Sequence, residues 1–219
     1  MLSPSWKKRL SYFFPITVEK IESQHSGTLS VRLVEGRYQL VTGDAIYSFE
    51  DKYTSYGTAL EQPHQTAGTS ALVLGLGMAS IPYLLQKKHH WKGTITCVEW
   101  DPVLIRLTQK YYPYPEGINR LKIIEADAKA FMQENARTFD LITVDLFIES
   151  EVPYFCWEQS FLEQLKKAVA PGGTLFFSRL TDRHTEESML WENLEKVFPE
   201  KEEIITFGNS IMKWERRDN

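Results

Sequence analysis

From Thr69 onward the sequence alternates between short apolar runs and amphipathic helical stretches, and this alternation narrows the possible folds more than anything else in the chain. The runs "SALVLGL", "TITCVEW", "LKIIEA", "FDLITVD" and "TLFFSR" have the β-branched, apolar character of buried strands. Between them lie "ASIPYLLQKK" with Pro82 in its first turn, "DPVLIRLTQKYY" opened by Asp101, "AKAFMQEN", and "CWEQSFLEQLKKAVA" ended by "PGG". Strands separated by helices are joined by right-handed crossovers, which predicts a doubly wound α/β sheet. A last helix, "ESMLWENLEKVF", precedes "EEIITF" and "SIMKWE", and Gly208-Asn209 between these is a two-residue hairpin signal. At least one edge of the sheet is therefore expected to be antiparallel.

The region before Thr69 reads differently. "ITVEKIES", "TLSVRLVE", "RYQLVT" and "AIYSFE" alternate as strands, with turn signals at Ser26-Gly27, Glu35-Gly36 and Gly43-Asp44. This predicts a small antiparallel meander, too small to be stable alone and so packed on something larger. The expected division is an N-terminal β-hairpin domain over residues 1–60 and a doubly wound domain over 61–219.

Charge and composition exclude several classes. Lysine and arginine number 25 against 29 aspartates and glutamates, a net charge of −4, so no basic excess exists to release counterions from a nucleic acid. The short basic run "WKKR" at Trp6 to Arg9 reads as a solvated helix end. Cys97 and Cys156 make no C-x-x-C pair, and the five histidines show no metal-ligand spacing. No stretch resembles a signal peptide or approaches about 18 apolar residues. The expectation is a cytoplasmic protein without metal, nucleic-acid or membrane partners.

In an open parallel sheet, ligands bind beyond the carboxyl ends of the strands, near the switch in strand order. Four such ends carry suggestive groups. Gly75 and Gly77 follow the first strand and let backbone approach a ligand, ahead of a helix N-terminus. Glu99 ends the second, 22 residues beyond Gly77, near the spacing at which an acid meets ribose hydroxyls. Asp127 follows the third and Asp145 the fourth. Each alone also suits a tight turn, a strand end or a helix cap. Together they point to a nucleoside, because the fold gathers those ends. NAD is the rival ligand, but Ser80 stands where G-x-G-x-x-G has its third glycine, and a carboxylate after the third strand suits adenine. With the closing hairpin, these features favour an S-adenosyl cofactor.

From about Leu33 to Ser178 the sequence resembles the polyamine aminopropyltransferases, the spermidine synthase family within the class I S-adenosylmethionine-dependent methyltransferase superfamily. The matching motifs are "VEGRYQL", similar to D-G-x-x-Q, "CVEWDPVLI", "EADAKAFM", similar to G-D-G-x-x-F, "ITVD" and "LKKAVAPGGTL". The resemblance implies a Rossmann-like methyltransferase sheet over 61–219 that binds S-adenosylmethionine or its decarboxylated form, without a metal. It implies Glu99 on the ribose with Trp100 beside it, Asp127 and Ala128 at adenine, and Gln39 reaching in from the hairpin domain. Asp145 is the implied base, Tyr53 a substrate-side tyrosine, and a homodimer paired through the N-terminal domain the implied assembly.

Departures from the family pattern bear on the reaction. G-G-G-D-G-G becomes "GLGMAS", so Met78 replaces the acid that holds the aminopropyl ammonium. D-S-S-D-P becomes "DLFIE": Asp145 stays and Ile148 replaces the second acid, leaving Glu149 and Glu151 as substitutes only after a loop shift. A dication such as putrescine needs carboxylates to offset its desolvation. Val73 stands where many methyltransferases carry an acid for the methionine ammonium. Loss of the acid at 78 removes a charge that repels the α-carboxylate of S-adenosylmethionine, and the helix N-terminus after Gly77 can receive that carboxylate. Phe147, Tyr154, Phe155 and Trp157 either pack the loop after Asp145 or line an acceptor pocket. Three functions follow: a methyltransferase on a small-molecule acceptor, an aminopropyltransferase with an altered acceptor, and a non-catalytic nucleoside-binding descendant.

Overall fold

Eleven strands fall into two sheets among the described residues. The computed structural model describes residues 5–43, 45–64, 68–147, 152–180, 187–206 and 209–217. A short helix, α1 (Ser5–Leu10), precedes β1 (Ile16–Ser23), β2 (Gly27–Val34), β3 (Arg37–Thr42) and β4 (Ala45–Ser48), which pair antiparallel in that order. This is the expected meander. α2 (Thr54–Ala59) follows it, and its Tyr56 and Ala59 belong to the core of the larger sheet.

The larger unit runs β5 (Ser70–Leu74), α3 (Ser80–Lys87), β6 (Thr94–Glu99), α4 (Pro102–Tyr111), α5 (Pro115–Ile118), β7 (Leu121–Glu125), α6 (Ala128–Glu134), β8 (Phe139–Val144), α7 (Gln159–Ala168), β9 (Val169–Leu180), α8 (Glu187–Val197), β10 (Glu202–Ile205) and β11 (Asn209–Glu215). Its strand order is β10-β11-β9-β8-β5-β6-β7. The five strands from β7 to β9 are parallel, and β11 and β10 complete the sheet antiparallel. The class is the one expected, a mostly parallel doubly wound sheet closed by a hairpin and preceded by a small antiparallel sheet.

Apolar layers cover both faces of this sheet. On one, Phe161, Leu162 and Leu165 of α7 and Leu194 of α8 meet Leu72, Ile142 and Phe177. On the other, Ile81, Leu84 and Leu85 of α3 meet Val73, Leu141 and Phe176. α4 meets both sheets: Ile105, with Tyr112 just past its end, packs with the large sheet, whereas Leu104, Leu107 and Tyr111 pack on Leu29, Val31, Leu33 and Leu40 of the small one. The alternating burial of β2 creates that contact, since every second side chain is enclosed. Met78 is buried in the same cluster, 5% exposed, joining the turn after β5 to the small sheet.

Two local differences from the sequence reading matter. "PGG" does not end a helix ahead of a separate strand; β9 already starts at Val169 and absorbs the glycines through a register shift against β8. Of the predicted Gly208-Asn209 hairpin signal, Gly208 lies outside the described residues and Asn209 is a strand residue. Asn209 belongs to β11, opposite Leu180, and its carbonyl accepts the Thr206 N–H at 2.8 Å.

Candidate active site

Strand order reverses at β5 and β8, so the crevice at their carboxyl ends is where this topology binds ligands. Gly75 leaves β5 with φ of +90°, and a Cβ there would sit 2.2 Å from the Asp145 carbonyl oxygen. Only glycine permits this approach. The two strand ends are tied by the Asp145 N–H donating to the Leu74 carbonyl at 2.9 Å. Below them opens a cavity of about 430 Å³, to which Gly75, Gly77, Glu99, Trp100, Asp127 and Ala128 contribute on one side and Tyr53, Asp145 and Phe147 on the other.

Glu99 is buried at the end of β6 and both of its oxygens are engaged. Oε2 accepts the Leu76 and Gly77 N–H groups at 3.0 and 3.3 Å; Oε1 accepts those of Trp100 and Asp101 at 2.9 and 3.0 Å. Burial raises its pKa, and the N–H bonds from Asp101, Leu76 and Gly77 oppose the rise. One carboxylate thus shapes both the glycine turn and the start of α4. Asp127 caps α6 through the Ala130 N–H at 2.9 Å while remaining exposed at the cavity wall. The capping and ligand-facing readings of Asp127 are compatible, because the cap occupies Oδ1 alone.

The small sheet forms the roof. Its β1–β2 turn places His25 on the Trp100 ring, centroids 4.5 Å apart. The Ser23 and Ser26 hydroxyls donate to Asp101 Oδ2 at 2.5 and 2.7 Å, and Ser26 itself lines the cavity. Farther along, Ser80 at the start of α3 shares a hydroxyl contact of 2.6 Å with Ser48 and accepts the Phe49 N–H at 2.8 Å. Ala45, Ile46 and Tyr47 of β4 complete this wall.

Asp145 is held differently from Glu99. The Tyr53 hydroxyl donates to its Oδ2 at 2.7 Å, whereas Oδ1 is buried without a hydrogen-bond partner. Burial lifts its pKa to about 6, against the lowering effect of Tyr53 and of the nearby Ser178 hydroxyl. Burial and the carboxylate together drive Tyr53 well above the usual phenol range, so it remains the donor. The parallel Tyr56 ring lies 6.3 Å from Tyr53 and anchors its own hydroxyl on the Val144 carbonyl.

Most sequence-predicted residues converge on this cavity. Gln39 does not line it; the residue is buried on β3 opposite Arg32. Met78 also faces away, into the packing under the small sheet. Glu149, with Ile148 and Glu151, lies outside the described residues. Of the aromatic group, Phe147 and Phe155 line the cavity, Trp157 packs on Phe177, and Tyr154 is exposed. Sequence reading missed Ser26, the β4 wall and Asn209, which have no motif; only the folded register brings them to the ligand side.

Residues 70–206 match the spermine/spermidine synthase domain. The chain belongs to that family. Among curated relatives, it is 30% identical over 181 residues to an N-terminal histidine N-methyltransferase of Emericella nidulans, covering 80% of this chain and 27% of that protein. It is 28% identical over 121 residues to a "probable polyamine aminopropyl transferase" of Bifidobacterium longum, covering 55% and 26%. The human eEF1A lysine and N-terminal methyltransferase is 29% identical over 142 residues, 58% of this chain and 20% of that one. The chain thus spans roughly a quarter of the length of the curated relatives it matches. Among solved structures, a "probable spermidine synthase" of Corynebacterium glutamicum superposes with a TM-score of 0.72 at 17% identity, covering 90% of this chain and 79% of that one. Human methyltransferase-like protein 13 in complex with SAH gives 0.58 at 23%, covering 73% and 75%. These likenesses establish the shared fold.

Proposed function

We propose that the chain binds S-adenosylmethionine and catalyses transfer of its methyl group to an amine that enters beside Asp145. The charge of the cavity carries this reading. Glu99, Asp127 and Asp145 line it, and no lysine, arginine or histidine does among the described residues. Such a lining disfavours the pyrophosphate of a dinucleotide and favours a sulfonium cation. An adenosyl group fits the rest: the Glu99 carboxylate for the ribose, and Trp100, Val98, Leu104 and Ala126 as an apolar slot for the base beside Asp127. The longest Glu99 bond, from Gly77 at 3.3 Å, is the one a ribose hydroxyl displaces most easily, freeing that N–H for the cofactor's carboxylate.

When bound, the cofactor supplies an electrophilic methyl carbon on sulfur. The protein's contribution is positioning and proton transfer. With a pKa of about 6, Asp145 is mostly ionised at neutral pH yet basic enough to receive a proton from an attacking amine. Tyr53 holds the carboxylate in place and leaves Oδ1 for the substrate. The relatives reported above are named for nitrogen acceptors, which supports an amine here. Aminopropyl transfer to a polyamine is not favoured, since Asp145 is the sole carboxylate on the acceptor side among the described residues.

Calorimetry with S-adenosylmethionine and its decarboxylated form tests the reading, with Glu99→Ala and Asp127→Ala as controls. Tighter binding of the intact cofactor, weakened in both variants, is expected. Tighter binding of the decarboxylated form would reassign the chain to aminopropyl transfer, and binding of neither would remove the proposal.

A further inference from the structure

The acceptor end of the cavity contains a second polar group with no assigned role. Asn209, first residue of β11, lines the cavity, and its Nδ2 donates to Ser178 Oγ at 3.4 Å. Ser178, on β9, in turn faces the Asp145 carboxylate and favours its charged form. Asp145, Ser178 and Asn209 thus make a polar row across the ends of β8, β9 and β11. The surrounding wall, Leu146, Phe147, Pro153 and Phe155, is apolar. The cavity volume of about 430 Å³ is near the lower end of the roughly 300–1,000 Å³ that holds a single drug-sized ligand. With a cofactor bound, only the tip of an acceptor has room.

The tip must satisfy two groups. Asp145 receives an amine. Asn209 has a second N–H beyond the one on Ser178, and an acceptor atom on the substrate can receive it. A diamine provides none and gains nothing from that amide. A free α-carboxylate provides one, but next to the reacting amine it would stand beside the Asp145 carboxylate, which repels it. A neutral carbonyl next to the amine meets both requirements.

We propose, resting on the methyl-transfer reading above, that Asn209 selects acceptors in which the reacting amine stands beside an amide carbonyl. Amino-acid amides and the amino end of a peptide share that chemistry. In the step itself, the amine lone pair bonds to the methyl carbon as that carbon's bond to sulfur breaks, the electron pair remaining on sulfur. The amine's proton passes to Asp145 Oδ1 and then to solvent, leaving a methylated amine and S-adenosylhomocysteine.

The test measures acceptor binding by calorimetry on protein saturated with S-adenosylhomocysteine, whose own affinity is determined first. The probes are glycinamide, amidated tripeptides beginning with Gly, Ala or Ser, the same peptides N-acetylated, glycine and putrescine. Glycinamide or the free-amine peptides are expected to bind, and the acetylated peptides and glycine are not. Tripeptides binding more tightly than glycinamide identify the peptide as the source, and equal affinities identify the amino-acid amide. Asn209→Ala should weaken the carbonyl-bearing probes about tenfold, the loss of one hydrogen bond, without altering S-adenosylhomocysteine affinity. Asn209→Asp should weaken them further and strengthen putrescine, a reversal that a purely structural role does not produce. Putrescine preferred by the unaltered protein, or unchanged probe affinities in both variants, would overturn the assignment of Asn209 alone. Failure to bind S-adenosylhomocysteine would overturn it together with the reading on which it rests.

Discussion

Glu99 and Asp145 both end parallel strands, both lie at the cavity, and burial raises the pKa of each. They are nevertheless provided for in opposite ways. Glu99 accepts four backbone N–H bonds, two on each oxygen, so its charge is part of the scaffold. Asp145 accepts the Tyr53 hydroxyl on one oxygen, with the Ser178 hydroxyl nearby, and its other oxygen is buried without a close partner. A carboxylate saturated by the backbone organises a site; a carboxylate left partly unsatisfied costs stability and is available for chemistry. Two carboxylates at strand ends on either side of β5 are thus held differently: Glu99 is braced by backbone N–H groups, and Asp145, proposed above as the base, keeps one oxygen unpartnered.

The largest expected effect is on turnover. Asp145→Asn should lower kcat by about 10²- to 10⁴-fold, the range of a general base, and weaken cofactor binding far less. In the unaltered protein kcat should rise with pH through about 6 as Asp145 ionises. A flat pH–rate profile, or full activity in the variant, would erase the contrast with Glu99.

Stability should move in opposite directions in the two isosteric variants. Glu99→Gln turns an amide NH₂ towards two backbone donors and should cost about 2–4 kcal/mol in denaturant unfolding. Asp145→Asn should instead stabilise by on the order of 1–2 kcal/mol at pH 7, a partly exposed site giving less than the full effect. The sign follows from linkage: the folded pKa of about 6 exceeds the ordinary 3.8, so stability falls as pH rises between those values and has been lost above them. Equal signs in the two variants would show that both acids are structural.

Smaller effects test the hold of the small sheet on the site. Ser80→Ala removes the contacts with Ser48 and the Phe49 N–H and should cost about 1–2 kcal/mol. Cofactor affinity should fall with it, because Ser80 also lines the cavity. The smallest change arises outside the cavity lining, where His64 and His89 pack ring against ring at 5.4 Å, each with Nε2 buried and unpartnered. Desolvation is the leading cause lowering both pKa values below 6.5. Their stabilising effect is full above pH 6.5 and fades as pH drops below it. Melting curves of the protein and of His64→Gln above and below that pH should show the difference shrink in the variant.

The alternation of apolar runs with helical periodicity is enough to predict the doubly wound sheet, its antiparallel closure and the separate N-terminal meander, because each depends on local pattern and on the handedness of crossovers. Gly75, Glu99, Asp127 and Asp145 were legible for the same reason: they occupy strand ends, and the topology carries strand ends to one crevice. What stood opposite them was not legible. Met78 occupies a motif position yet packs under the small sheet, and Gln39 is buried on β3 without lining the cavity. Ser26 and the β4 wall arrive from another sheet. Asn209 reads as a turn residue until its pairing with Leu180 assigns it to β11. The sequence by itself determined which strands form and which acids end them. The tertiary structure alone decided how differently Glu99 and Asp145 are held, since that depends on which donors reach each carboxylate once the chain has closed.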